Sequence, residues 1–279
     1  MARTGDCHQE GIVGGVTIVE LVWPGTWLAL SDQQQASELA GLLQLLETAV
    51  GEANLSLLMF ERREASVAAI RVPSQDEWLA DMAERRAAER RLENALAPMS
   101  VEQQFAALEG IRLQAEIEVL RARSARGLIP AGLMHHEPFI WARTFVYALD
   151  AIRKTLTVIA QQPTPNSAAG ALIELDQRIP DLLGVRDTAH HPEDRIRRLD
   201  KKGKPITLQP IDNNMIKAPS GGVLVLNNLN GSRYGCTLGD GRFAEVDVTA
   251  SSLIAARDVV QRVFDSLPWR GPRQLFPRP

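Results

Sequence analysis

Lysine, cysteine and tyrosine are scarce in this chain, with five lysines against 26 arginines and two each of cysteine and tyrosine in 279 residues. Two cysteines as far apart as Cys7 and Cys236 exclude a disulfide framework and read as free thiols of a reducing compartment. No apolar run approaches the roughly 18 residues that a membrane helix needs, so no membrane partner is expected. Asp6, His8 and Glu10 interrupt the stretch where a secretory signal would be apolar, which makes the cytoplasm the expected location. No Gly-Lys-Ser/Thr follows the glycines of GIVGG, so that segment is not a phosphate loop. Internal repeats are also absent.

What is present is an ordinary globular composition, 45% hydrophobic and 23% charged, with a net charge of -3. That balance argues against a protein coated with nucleic acid over its whole surface. The charge is unevenly placed. Residues 195–204, RIRRLDKKGK, hold six bases and one acid, a local +5 that leaves about -8 for the rest of the chain. Four of the five lysines lie between 201 and 217. A solvated loop and a phosphate-attracting patch are the two readings of such a run.

The order of elements follows from periodicity and punctuation. GGVTIVELVW is a strand candidate, the leucines of residues 36–53 recur at helical spacing, and residues 54–72 read equally as helix or strand pair. Residues 76–98 form a charged helix ending at Pro98, and residues 100–127 a second one opened by a Ser100/Gln103 capping box. The second helix carries its apolar face on Val101, Phe105, Leu108, Ile111, Ala115 and Val119. The most apolar helix spans 139–160 and belongs at the centre of a bundle. A helical pair or a helix kinked at Pro180 follows, with His191 at or just past its end because it precedes Pro192. Asn230-Gly231 and Asp240-Gly241 predict three antiparallel strands. Ser251 or Ser252 is expected to cap a last helix, and the proline-rich tail to be irregular or docked by Trp269.

The fold class expected is therefore mainly α: a helical bundle with a small three-strand antiparallel insertion at 221–249 and a mixed α/β N-terminal segment. The expected division is residues 1–95, 96–267 and a tail of 268–279.

The chemistry concentrates in GVRDTAHHPEDRIRRLDKKGKP, residues 184–205. Arg186 is followed by the polar Asp187 and, five positions after the arginine, by His191, at a helix end and with the acidic continuation Glu193-Asp194. This pattern resembles the HEPN superfamily of helical-bundle proteins, whose motif is arginine, a polar residue, any three residues and histidine. Arg3 and His8 share the spacing but neither the helix-end setting nor the continuation. The likeness covers roughly residues 100–267.

The resemblance implies metal-independent cleavage of RNA by the ribose 2′-hydroxyl, with no cofactor and no metal. His191 would be the catalytic histidine, Arg186 the phosphate clamp, Asp187 the residue that orients them and His190 an assistant one helical turn from Arg186. Such chemistry suits these side chains, because an imidazole exchanges protons near neutrality and a guanidinium keeps its charge and presents a planar fork to phosphate oxygens. Arg195, Arg197, Arg198, Lys201, Lys202 and Lys204 would bind the RNA. The resemblance further implies a homodimer with a shared groove, and toxin or defence roles in which an antitoxin or defence partner controls the activity.

Two alternatives stand beside it. One is a catalytically inactive module that binds RNA or scaffolds, with Arg186 paired to Glu193 or Asp194. The other is a metal-binding bundle hydrolase using His135, His136, Glu137, His190, His191, Glu193 and Asp194, although neither histidine pair has a His-Glu-x-x-His arrangement. Asn227, Asn228, Arg233 and Tyr234 are further nucleotide-contact candidates, and turn geometry alone accounts for the asparagines.

Overall fold

The computed structural model describes residues 12–13, 16–68, 75–95 and 100–278. In chain order these form β1 (Ile12–Val13), β2 (Val16–Thr17), β3 (Leu21–Trp23), β4 (Trp27–Leu28) and α1 (Gln33–Ala68). Next come α2 (Gln75–Asn94), α3 (Val101–Ala125), α4 (Ala131–Met134), α5 (Glu137–Ile159), α6 (Ala168–Arg178), α7 (Leu182–His190) and α8 (Pro192–Ile196). The remainder is β5 (Ile211–Asp212), β6 (Lys217–Ala218), β7 (Asn228–Asn230), β8 (Arg233–Thr237), β9 (Phe243–Asp247), α9 (Ala250–Asp265), β10 (Trp269–Arg270) and β11 (Gln274–Phe276). The molecule is mainly helical with small antiparallel sheets. No described helix is long and apolar enough to cross a membrane. Arg3, Cys7 and His8 lie outside the described residues.

The chain divides into two compact units, residues 1–63 with 138–279, and residues 64–137. The expected boundary at 95/96 is therefore replaced by one that joins the first strands to the C-terminal half. The reason is pairing. β3 is antiparallel to β11, with Val22 opposite Leu275, and β4 is antiparallel to β10, with Leu28 opposite Trp269. The tail, expected to be irregular or docked by Trp269, does pack Trp269 against the core and forms two short strands. Its prolines do not prevent this, because Pro268, Pro272 and Pro277 all fall outside the paired residues, where no ladder hydrogen is needed.

In the larger unit α5 sits in the core as its pattern predicts. Phe145, Leu149, Ile152 and Leu156 are fully buried, in one cluster with Leu39, Leu43 and Leu46 of α1 and with Val260, Val263 and Phe264 of α9. Burial of each such side chain stabilises by roughly 1.5–3 kcal/mol. The ambiguous stretch after residue 53 continues α1 as helix to Ala68. Its Asn54 amide donates to the Val19 carbonyl and accepts from the Val19 amide, so a side chain completes the edge of the N-terminal segment. α9 is capped by Thr249, whose hydroxyl accepts from the Ser252 amide, rather than by Ser251 or Ser252. Thr249 is the last extended residue before the helix, the backbone shape a cap requires.

Both hairpin predictions hold: β7, β8 and β9 form one antiparallel sheet, with Gly231 and Gly241 at positive φ in the turns. A side chain at Gly241 would also meet the Thr207 carbonyl at 1.9 Å. The sheet packs Tyr234, Cys236, Ala244 and Val246 inward, and β8 and β9 contact α7. Burial pushes the Cys236 thiol up to about 12, so it is a packing residue and no nucleophile.

Pro180 separates α6 from α7, and Asp181 begins α7 in the left-handed region at φ 66. Its carboxylate accepts two hydrogen bonds from Arg242, at 3.1 and 2.6 Å, and these hold it below the usual carboxylate range against an opposing effect of burial. A depressed carboxyl stabilises the fold above its unfolded value, and that contribution disappears as pH falls through the folded value. Asp181→Asn keeps a residue that tolerates positive φ and removes the charge. The variant is expected to melt a few degrees lower at neutral pH, since a pair this exposed contributes at most about 1 kcal/mol. Its melting temperature should fall less steeply than that of the parent between about pH 5 and 3, and parallel acid limbs would refute the assignment.

In the smaller unit α2 and α3 contact each other through an ionic surface. Arg123 pairs with Asp81 and Glu84, Arg126 with Glu84, Arg85 with Glu116 and Arg91 with Glu118. The Ser100/Gln103 capping box is present. Of the predicted apolar face of α3, Ile111 and Ala115 are buried while Phe105 is 69% exposed.

Candidate functional site

α7 is short because Pro180 precedes it and Pro192 follows, and this compresses Arg186, Asp187, His190 and His191 into its final turn and cap. His191 is both the C-cap of α7 and the residue from which α8 starts, with Pro192 at the first helical position where its missing N–H costs nothing.

Arg186 is tethered from below. Its Nε lies 2.9 Å from Oδ2 of Asp150, whose side chain is only 3% exposed, and the same oxygen takes Lys154 Nζ at 2.8 Å. Asp150 Oδ1 is buried without a hydrogen-bond partner among the described residues. The partners that the inactive-module alternative gave it, Glu193 and Asp194, are not the ones Arg186 uses among the described residues. Arg186 meets Asp150 through Nε, and neither terminal NH2 group of the guanidinium has a hydrogen bond among the described residues.

His191 is similarly held at one nitrogen, with Nδ1 3.3 Å from Glu193 Oε1 and the side chain 45% exposed. The Glu193 backbone amide, then the His191 ring, hold that carboxyl below the usual carboxylate range. His190 packs edge-on against His191, ring centres 4.8 Å apart, and edge-on against Tyr147 at 6.0 Å. The Tyr147 hydroxyl donates to the Ala189 carbonyl and fixes the last turn of α7 against α5. Burial raises the Tyr147 phenol, opposed by the nearby positive charges of Arg143 and Arg186.

The Asp187 carboxylate is engaged away from the histidine, while its backbone carbonyl accepts the His191 amide at 3.0 Å. Its Oδ2 accepts from Arg195 Nη2 at 2.9 Å. Arg195 in turn is 1% exposed, with Nε donating to the Thr188 hydroxyl and Nη1 to the Leu199 carbonyl. The expectation that Arg195 belongs to an RNA-binding surface is corrected: it ties α7 to the chain beyond α8 from the inside. The turn that begins at Pro192 points Arg195 inward and leaves Arg197 and Arg198 outside. Arg197 is exposed beside Asp194 at 3.9 Å, and Arg198, Lys201, Lys202 and Lys204 are all exposed, as a surface patch requires.

Arg143, Tyr147, Asp150 and Lys154 were missed, yet their signal is in the sequence. On the most apolar helix of the chain these polar residues recur at intervals of four, three and four, a single stripe. His135 and His136 lie in the smaller unit, His190 and His191 in the larger. Among the described residues the one group of three or more whose metal-ligating atoms lie within 4.8 Å of one another is His191, Glu193 and Asp194. Of the remaining nucleotide candidates, Tyr234 is buried and Arg233 lies 3.4 Å from Glu245.

No protein-family model, curated protein or solved structure matches the chain.

Proposed function

We propose that the α7 terminus is the RNA-cleaving site of a HEPN-like, metal-independent endoribonuclease that works as a homodimer under the control of an antitoxin or defence partner. The observation that carries this reading is the matched tethering of its two principal residues. Arg186 is anchored through Nε and His191 through Nδ1, so each has its position fixed at one nitrogen and its working nitrogens unspent. Preorganised charge of this kind is what a transition state needs.

The step balances without a metal. The unspent Nε2 of His191 takes the proton of a ribose 2′-hydroxyl, and the 2′-oxygen attacks phosphorus while the terminal NH2 groups of Arg186 hold the non-bridging oxygens. The 5′-oxygen then leaves with a proton from a second imidazole, that of His190 or of the other copy of the chain. The products are a 2′,3′-cyclic phosphate and a 5′-hydroxyl.

The test is cleavage of single-stranded RNA in EDTA. Arg186→Ala and His191→Ala are each expected to lower the rate roughly hundredfold or more, with His191→Ala leaving the melting temperature nearly unchanged. A strand with deoxyribose at the scissile position should resist. Activity lost in EDTA and restored by zinc or manganese would overturn the reading in favour of the cluster at His191, Glu193 and Asp194.

A second reading is favoured by the Arg186–Asp150–Lys154 network, since an ionic link to a buried carboxylate also serves simply to join two helices. It predicts RNA binding without cleavage, with a salt slope set by Arg197, Lys201 and Lys202.

A further inference from the structure

A cavity of about 390 Å³ opens between α7, the loop after α8 and the turn joining β8 to β9. Its size lies within the range of sites that take one small organic ligand. Leu183 of α7 and Leu238 at the end of β8 give it two apolar walls, and Gly184 lets them approach, since a side chain there would meet Leu238 at 2.9 Å. Gly239 keeps the wall beside Arg195 bare, because a Cβ at 239 would press to 3.2 Å from its guanidinium.

The charges around this hollow are not balanced in use. Each carboxylate that lines it is already committed. Asp187 is bound to Arg195, and Asp240 accepts from the Arg242 amide at 3.0 Å. Asp200 Oδ1 accepts the amides of Lys202 and Lys204, both at 2.8 Å, and these bonds hold its carboxyl below the usual carboxylate range. The same Asp200-centred turn sets Lys201, Lys202 and Lys204 on the rim, all exposed. None of the three ammonium groups makes a hydrogen bond or ion pair among the described residues. Lys202 and Lys204 feel the charge of Asp200, but four cations against three carboxylates leave the lining one positive charge in excess, with the lysines on an exposed rim over a partly apolar hollow.

We infer that this cavity binds a nucleoside phosphate, with the phosphate at the lysine rim and the flat base between Leu183 and Leu238. Three point charges side by side suit a multiply charged oxyanion better than a single carboxylate. The two leucine walls need a compact apolar body, which a base supplies. The same chemistry can arrive as a free nucleotide or as one nucleotide of a strand. The inference rests on the cavity and stands whether or not the α7 terminus cleaves RNA.

Binding is tested by calorimetry with adenosine 5′-monophosphate and with inorganic phosphate, and by fluorescence anisotropy with a short labelled single-stranded RNA. The full chain carries His191→Ala so that no strand is cut. Lys201→Ala/Lys202→Ala is expected to weaken binding about tenfold or more, whereas Arg112→Ala/Lys217→Ala, equal in charge but outside the cavity, should weaken it less than about threefold. Monophosphate binding lost in the lysine pair supports a free-nucleotide site; strand binding lost in that pair without monophosphate binding supports a nucleotide held within RNA. Binding of neither probe, equal losses in both double variants, or inorganic phosphate binding as tightly as the monophosphate would each overturn the inference. All four substituted residues are exposed, so the melting temperatures should match and the comparison does not depend on refolding.

Discussion

A chain cut after Leu267 is expected to lose its cooperative thermal transition. The cut removes β10 and β11, and with them the only partners of β4 and β3 among the described residues. It also removes Trp269, whose indole donates to the Phe264 carbonyl at 2.7 Å and whose ring packs edge-on to Trp23 at 5.4 Å. Phe264, Trp23 and Leu21 would be uncovered together. Trp269 and Phe276 are half-buried against the core, so each costs less than the about 3–5 kcal/mol of a fully buried aromatic, but whole domains are stable by only about 5–15 kcal/mol. Single substitutions in the full chain separate this cause from truncation as such. Trp269→Ala and Phe276→Ala should each lower the melting temperature by several degrees or more, monitored by circular dichroism. A truncated chain that melts within a degree or two of the parent would show that the tail is dispensable.

Arg195→Ala should be nearly as severe, and for a different reason. The side chain is the largest among those fully buried, and it satisfies Asp187, Thr188 and the Leu199 carbonyl at once. Its removal leaves a half-buried carboxylate without its counter-charge and a cavity beside it, a loss of roughly 3–5 kcal/mol or about 6–15 °C. Arg195→Met restores the stem without the charge and should recover only part. Arg195→Met with Asp187→Asn should recover more, and the non-additivity of that cycle measures the pair. An arginine on an RNA-binding surface would behave in the opposite way, leaving the melt alone and lowering the salt slope of binding.

The sequence disclosed what is local. The central helix was legible because its apolar residues recur at helical spacing, and the hairpins because Asn-Gly and Asp-Gly permit few other turns. Ser100 and Gln103 gave the start of α3 for the same reason: a capping box is complete within four residues. The strands of the tail were not legible, since their partners lie about 250 positions away and nothing in PWRGPRQLFPRP names Leu21–Trp23. Arg195 was hidden by its neighbours. In RIRR every arginine looks alike, and only the turn that Pro192 starts sends one of them inward. The candidate site was half visible: the Arg186–His191 spacing stands in the chain, while Asp150, which holds Arg186, sits 36 residues upstream on a helix read only for its apolar face.

The pairing of the first strands with the last has a temporal side. During synthesis β3 and β4 emerge early, yet their mates follow only after the intervening helices have been made, at about 5–20 residues per second. For that interval Leu21 has no strand beside it, and the Asn54 side chain, some 35 positions on, is the first group able to occupy the backbone of the N-terminal segment. The long amide at Gln261, which grips both the N–H and the carbonyl of Val22, arrives just ahead of the closing strands. In the finished fold both side-chain amides keep their grip while residues 269–276 pair alongside, so the N-terminal segment is held by side chains as well as by strands.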